Sequence, residues 1–229
     1  MIESALTDPA MPVFWGKNQK GMQAVEELSG FDLDNAKFRW IEARDNAIKS
    51  ARDLIRLGLH KQIVNRLLEP WMWITVIVSS TEFNNFFNLR CHKDAQPEIQ
   101  KIARLMLGEY QQSVPWTVKS GEWHLPLLPD QVELEYEWEP EYVRKISVGR
   151  CARVSYLTYD GKRDPKADID LHDNRLLHPS NPDDPDHMSP FEHVAMASPG
   201  ERSGNFTGWH QYRKDFPSEN RTTLREELR

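Results

Sequence analysis

NRLLEPWMWITVIVSSTEFNNFFNLRCHKDAQPEI, residues 65–99, carries the reading of the fold. Ile63, Val64, Leu67 and Leu68 space their apolar side chains as a short helix does, and Pro70 stops it because proline lacks the amide hydrogen the next turn needs. Trp73 to Val78 follows as a β-branched run bounded by polar residues, a pattern that a buried strand and a buried helix satisfy about equally. Ser80 or Thr81 then stands where a cap belongs, ahead of a helix through Phe83, Phe86, Phe87 and Leu89 that places Glu82, Asn85 and Leu89 on roughly one face. Asp94, with Pro97 and Glu98 in the first turn, opens a further helix through Ile99, Ile102, Ala103, Met106 and Tyr110 that ends before Pro115. This succession predicts an α+β fold, mixed helices with a central antiparallel sheet.

Toward the N-terminus, Ala47, Ile48, Ala51, Leu54 and Ile55 recur at three and four, which predicts a helix over 46–57 with Gly58 as its stop. Ahead of it, Pro9, Pro12, Trp15, Gly16 and Gly21 mark an irregular stretch. Toward the C-terminus, Asp130 to Tyr142 alternates acids with apolar residues and reads as an edge strand or a connector, with a boundary near Pro140. Ile146 to Leu157 has strand character, Lys166 to Leu177 looks helical, and Pro179 to Asp186 is turn chemistry. Ser189-Pro-Phe-Glu192 has the form of a capping box with proline at the first helical position, so a helix is expected to start there. The expectation is one α+β domain over 1–229, built of a helical half, 1–129, a connector, 130–142, and a second half, 143–229.

The 229 residues include 39% hydrophobic and 28% charged side chains, and 29 basic against 35 acidic groups leave a formal charge of −6. Collagen, disordered tails and membrane spans are excluded by that composition. An acidic chain is a poor non-specific partner for nucleic acid, which leaves small anionic ligands held by a few arginines. Two cysteines, Cys91 and Cys151, make no disulfide framework, and a reducing cytoplasm is the expected compartment.

No nucleophile elbow, phosphate-binding glycine loop, His-Glu-x-x-His or Cys-x-x-Cys occurs. Cys91 lies between Arg90 and His92, a setting that lowers a thiol pKa, although a partly buried helix-end cysteine is the commoner case. His187 and His193, six residues apart, do not share a helical face and make a weak metal pair, so no metal is expected. What remains is a set of polar groups beside aromatic ones: Arg66, Asn85 to Arg90, and His187 to His193. Arg66 has a plainer use in pairing with Glu69, and Arg90 in complementing its helix end. Together, however, guanidinium forks suit phosphates and base carbonyls, asparagine amides read a donor and an acceptor at once, and aromatic faces stack on planar rings.

The segment Asn65 to Pro70, Phe87-Asn-Leu-Arg90, Asp94 to Ile99 and Pro115-Trp116 resembles the flavin-dependent thymidylate synthases in order and spacing. Ala152-Arg-Val-Ser-Tyr156 and His187-Met-Ser-Pro-Phe-Glu-His193 resemble motifs that lie in that family's N-terminal half, so the chain looks like a circular permutation joined through 130–142. The family's Arg-His-Arg signature is degraded here to Trp209-His-Gln-Tyr-Arg213, followed by Ser218-Glu-Asn-Arg221. The resemblance implies FAD contacts at Ser155, His187, Ser189, Glu192 and Asn85. It implies deoxyuridylate contacts at Arg66 and Arg90; for the lost phosphate-binding signature, either Gln211, Arg213, Glu219 and Arg221 stand in, or the phosphate-binding piece lies upstream of Met1 in a longer relative, or the substrate is a different one.

The implied activity is reductive methylation of dUMP at C5 to dTMP, using FAD, NADPH and methylenetetrahydrofolate, in a homotetramer without membrane contact. Arg90 and Asn85 are the implied catalytic residues, Arg90 favouring the polarised pyrimidine. The lost signature motivates an alternative, flavin-dependent hydroxylation or hydroxymethylation at C5 of dCMP or dUMP. From another class, an inactive nucleic-acid-binding relative would use Trp209, Tyr212, Arg213 and Lys214 as a stacking and phosphate patch.

Overall fold

The structure is a computed structural model and describes residues 1–21, 23–128, 139–156, 164–177 and 187–220. Two compact units partition the chain: Met1–Ile74 with Asn84–Ser113, and Thr75–Phe83 with Val114–Arg229.

The first unit is helical. It contains α1 (Ile2–Thr7), α2 (Gly30–Arg56), α3 (Lys61–Val64), α4 (Asn84–Arg90) and α5 (Pro97–Gln112), with 3₁₀ turns at Asn65–Leu67 and Glu69–Trp71. The helix expected over 46–57 is the C-terminal half of the 27-residue α2. Its end is a Schellman cap: Gly58 takes φ +83° and donates to Ile55, while Leu59 donates to Leu54. Ile48 and Ala51 on one face of α2 pack with Ala5, Val64, Leu68 and Trp71. Trp40 joins them, its ring centroid 5.5 Å from that of Trp71.

The short helix expected before Pro70 is a single α turn followed by 3₁₀ turns, and Pro70 sits inside the second of these, where no donor is required. Trp73–Val78 forms neither strand nor helix. Trp73, Ile74, Val76 and Val78 are exposed, because a β-branched run becomes a strand only when a neighbouring strand offers a ladder. The helix expected after Ser80 and Thr81 starts at Asn84. Thr81 accepts from the Thr207 amide at 3.0 Å and holds the tip of a hairpin in the second unit. The helix expected from Asp94 starts at Pro97.

The second unit is α+β. An antiparallel sheet of three strands runs in the order β1 (Trp123–His124), β2 (Ala195–Ser203), β3 (Phe206–Gln211). Beside it stand α6 (Pro140–Tyr156) and α7 (Pro165–Leu171), the latter continuing as a π-helical turn over His172–Leu176. The α+β expectation therefore holds, with a small sheet. The strand expected over 146–157 is overturned: residues 146–156 are the C-terminal part of α6, and Leu157 lies outside the described residues. Ile146, Ser147, Val148, Arg150, Cys151 and Ala152 are all buried, so no exposed face marks the helical period, and burial overrides the β-branched composition. Residues 140–142, expected in a strand or connector, form the first turn of α6, and 130–138 and 179–186 lie outside the described residues.

α7 begins as a helix should, with Asp164 accepting from the Ala167 amide at 3.3 Å and Pro165 in its first turn. α6 and α7 approach so closely at Gly149 that a Cβ there would stand 2.6 Å from the Asp168 carbonyl oxygen. Val148 and Ala152 face Leu176, Leu177, Met188, Phe191 and Val194 in the unit's core.

Candidate functional site

In the first unit, α4 positions Asn85 and Arg90. Phe87 is buried and its ring lies 5.5 Å from both Phe86 and Tyr110, which fixes the inner face of this short helix. Asn85 and Arg90 are left exposed, and no ion pair engages Arg90 among the described residues. An uncompensated guanidinium at a helix end is well placed for the negative end of the helix dipole, and equally available to an incoming anion or carbonyl. Arg66, in the 3₁₀ turn before Pro70, is also exposed and stands 3.8 Å from Glu69, a screened surface pair that costs little to open. Cys91 is partly buried, whereas burial pushes the Cys151 thiol up to about 12, which removes it as a nucleophile at neutral pH.

In the second unit the structure brings Glu192, Gln211, Arg213 and Glu219 together. Arg213 donates from Nη1 to Glu192 at 2.5 Å and from Nε to Glu219 at 2.9 Å. Gln211 donates to the Glu192 carbonyl at 2.9 Å and accepts from the Ser203 hydroxyl at 3.3 Å. Next to Gln211 on β3, His210 lies between Glu201 and Asp215, 2.6 Å from the latter. Burial alone would lower the His210 pKa, but hydrogen bonds to both carboxylates outweigh it and the pKa is raised. Arg213 and His210 thus answer to four carboxylates. Arg213 is available to a phosphate only by releasing Glu192 or Glu219, and Glu219 in this arrangement orients the guanidinium rather than meeting an anion.

The helix expected at Ser189 is corrected as well. Ser189–Glu192 is a single 3₁₀ turn without a side-chain capping hydrogen bond, and β2 begins three residues later. Pro190 and Phe191 are buried in the core, so the sequence of a capping box is used to seat an aromatic anchor. The dipole of a full helix is therefore absent at this point, and Glu192 serves Arg213 in place of a capped amide. Ser189 and His187 are exposed. His193 is buried, meets the Ser79 hydroxyl at 3.1 Å, and has its pKa lowered by that burial. The Ser155 side chain and Arg221 lie outside the described residues. Among the described residues no group of three or more His, Cys, Asp and Glu is arranged to hold a metal, and no helix is long and apolar enough to cross a membrane.

Two features escaped the sequence reading. Asp168, wholly buried on α7, receives Arg153 at 2.6 Å and Arg150 at 3.3 Å. His172, also buried, stacks on Tyr212 with ring planes 9° apart and pairs with Asp173 at 2.7 Å. The spacing of Arg150 and Arg153, three apart, was the available signal, since it aligns them on a helix and sets them on opposite faces of a strand.

Residues 17–116 match the model of the family described as thymidylate synthase complementing protein. That is the family of flavin-dependent thymidylate synthases, enzymes of nucleotide biosynthesis, and over this stretch the resemblance is borne out. The match covers Arg66, Asn85 and Arg90 and ends before the motifs at 152–156 and 187–193. No curated protein and no solved structure matches the chain.

Proposed function

We propose, with the family match of residues 17–116 as the premise, that the chain methylates C5 of dUMP to give dTMP, with FAD as cofactor and NADPH and methylenetetrahydrofolate as co-substrates. The observation that carries this reading is the pair of exposed groups Asn85 and Arg90, without a partner among the described residues, on a helix whose other face is anchored by Phe87. Their chemistry fits the rings. An asparagine amide matches the alternating acceptors and donor along the edge of a pyrimidine or flavin, and a guanidinium matches a ring carbonyl. Asn85 would hold the flavin edge. When bound, FAD supplies the redox chemistry.

Arg90 donates to a carbonyl oxygen of the pyrimidine and stabilises the negative charge that develops there as C5 becomes nucleophilic. Arg66, released from Glu69, holds the phosphate. No protein thiolate is required, in keeping with the inert Cys151. Permuted placement of the second half and assembly as a homotetramer belong to the same proposal. The two carboxylates on Arg213 favour, as a second reading, C5 hydroxylation or hydroxymethylation of dCMP or dUMP, since a rearranged phosphate site accompanies a changed substrate. Product chromatography after incubation with dUMP or dCMP separates the two: dTMP supports the first, a hydroxylated product the second, and neither product removes both.

A further inference from the structure

The first unit contains a cleft of about 1140 Å³ that involves none of Arg66, Asn85 and Arg90. One wall is the hairpin-like stretch around Gly16, closed by the Gly16–Glu27 bridge, and the other is the outer face of α5. Both walls are tied at the head of α5. The Val13 amide donates to Glu98 at 3.1 Å, and Gln23 donates to the Asp94 carbonyl at 2.7 Å. Gly16 allows this geometry, because a Cβ there would collide with the Ala24 side chain.

The cleft is polarised although the chain is acidic. Lys93, Lys101 and Arg104 line it, and among the described residues none of the three has an ion-pair partner. Its two carboxylates are both engaged: Glu98 with the Val13 amide and with Gln96, Asp94 with His92 at 3.5 Å. Lys101 and Arg104, three apart on a helix, are neighbours on one face, about 5–6 Å between their Cβ atoms. That spacing suits two adjacent phosphates. Phe14 and Pro97 add an apolar wall on which a planar ring can lie.

We propose that this cleft binds a nucleoside diphosphate moiety, its phosphates on Lys101 and Arg104 and its ring against Phe14. The assignment does not depend on the dUMP reading. It is tested by calorimetric titration of the full chain with ADP, inorganic pyrophosphate and adenosine, in wild type, Lys101→Gln, Arg104→Gln and Phe14→Ala. Loss of a charge-assisted hydrogen bond predicts about tenfold or greater weakening of ADP in each cation variant, at unchanged melting temperature. Phe14→Ala is expected to weaken ADP and leave pyrophosphate unchanged. Equal ADP affinity in wild type and both cation variants overturns the assignment, as does adenosine binding as tightly as ADP, whether or not the chain acts on dUMP.

Discussion

Arg153 reaches Oδ1 of Asp168 at 2.6 Å, and that carboxylate has no exposed surface. The pair joins α6 to α7, with Arg150 as a second, longer donor at 3.3 Å. Removing one partner of a buried pair strands the other's charge, which costs far more than the pair contributes net. Arg153→Met is therefore expected to destabilise the fold by about 3 kcal/mol, read as a lower urea midpoint with unchanged slope. A loss within the ordinary range of surface substitutions, about 0.5 kcal/mol, would show that Arg150 suffices.

Gly149 lies where the same two helices touch. On helix propensity alone, Gly149→Ala should stabilise by up to about 1 kcal/mol. The added methyl would instead meet the Asp168 carbonyl oxygen at 2.6 Å and its Cβ at 2.9 Å. Overpacking against a backbone atom predicts a net loss of about 1–3 kcal/mol in denaturant unfolding. A gain in stability would mean that the helices separate freely.

His210 gives a pH dependence of defined sign. Its folded pKa is raised, the bonds to Glu201 and Asp215 overcoming burial, so its stabilising contribution is fully present below the unfolded value near 6.5 and is lost as pH rises through the folded pKa. His193 and His172, whose pKa values burial lowers, act in the opposite sense as pH falls below that value. Melting temperatures of wild type and His210→Gln are thus expected to differ most at mildly acidic pH and to converge in alkali. A gap that stays constant with pH would contradict the charged His210.

The two cysteines should separate cleanly by alkylation. In the native chain at mildly alkaline pH, Cys91 is expected to react with iodoacetamide and Cys151 to stay unmodified until denaturant is added, its thiol being buried and held near 12. Peptide mass mapping reads this directly. Modification of Cys151 in the folded protein would mean that α6 opens on the labelling timescale.

The sequence was most legible where apolar periodicity met a terminator. Ala47 to Gly58 and Pro97 to Tyr110 show a stripe, a stop and a charged outer face, and both are helices. It was least legible where burial is uniform. Ile146 to Ala152 is buried throughout, so its β-branched residues pointed to a strand and only the three-residue spacing of Arg150 and Arg153 carried the helical signal. Local signals also misled where long-range contacts reuse them. Phe191 draws Ser189–Glu192 into the core before a helix can propagate. For the candidate site, Arg66, Asn85 and Arg90 were legible because their motif is contiguous. The link from Arg213 to Glu192 spans 21 residues and a strand pair, and nothing local announces it.

Flavin-dependent chemistry at C5 of dUMP is measured most directly as release of tritium from dUMP labelled at C5. With FAD, NADPH and methylenetetrahydrofolate present, the protein is expected to release label to water. Omission of FAD should abolish that release, and Arg90→Gln should slow it by about tenfold or more through loss of a charge-assisted hydrogen bond. No release from dUMP by protein saturated with FAD, or release unaffected by Arg90→Gln, would contradict it.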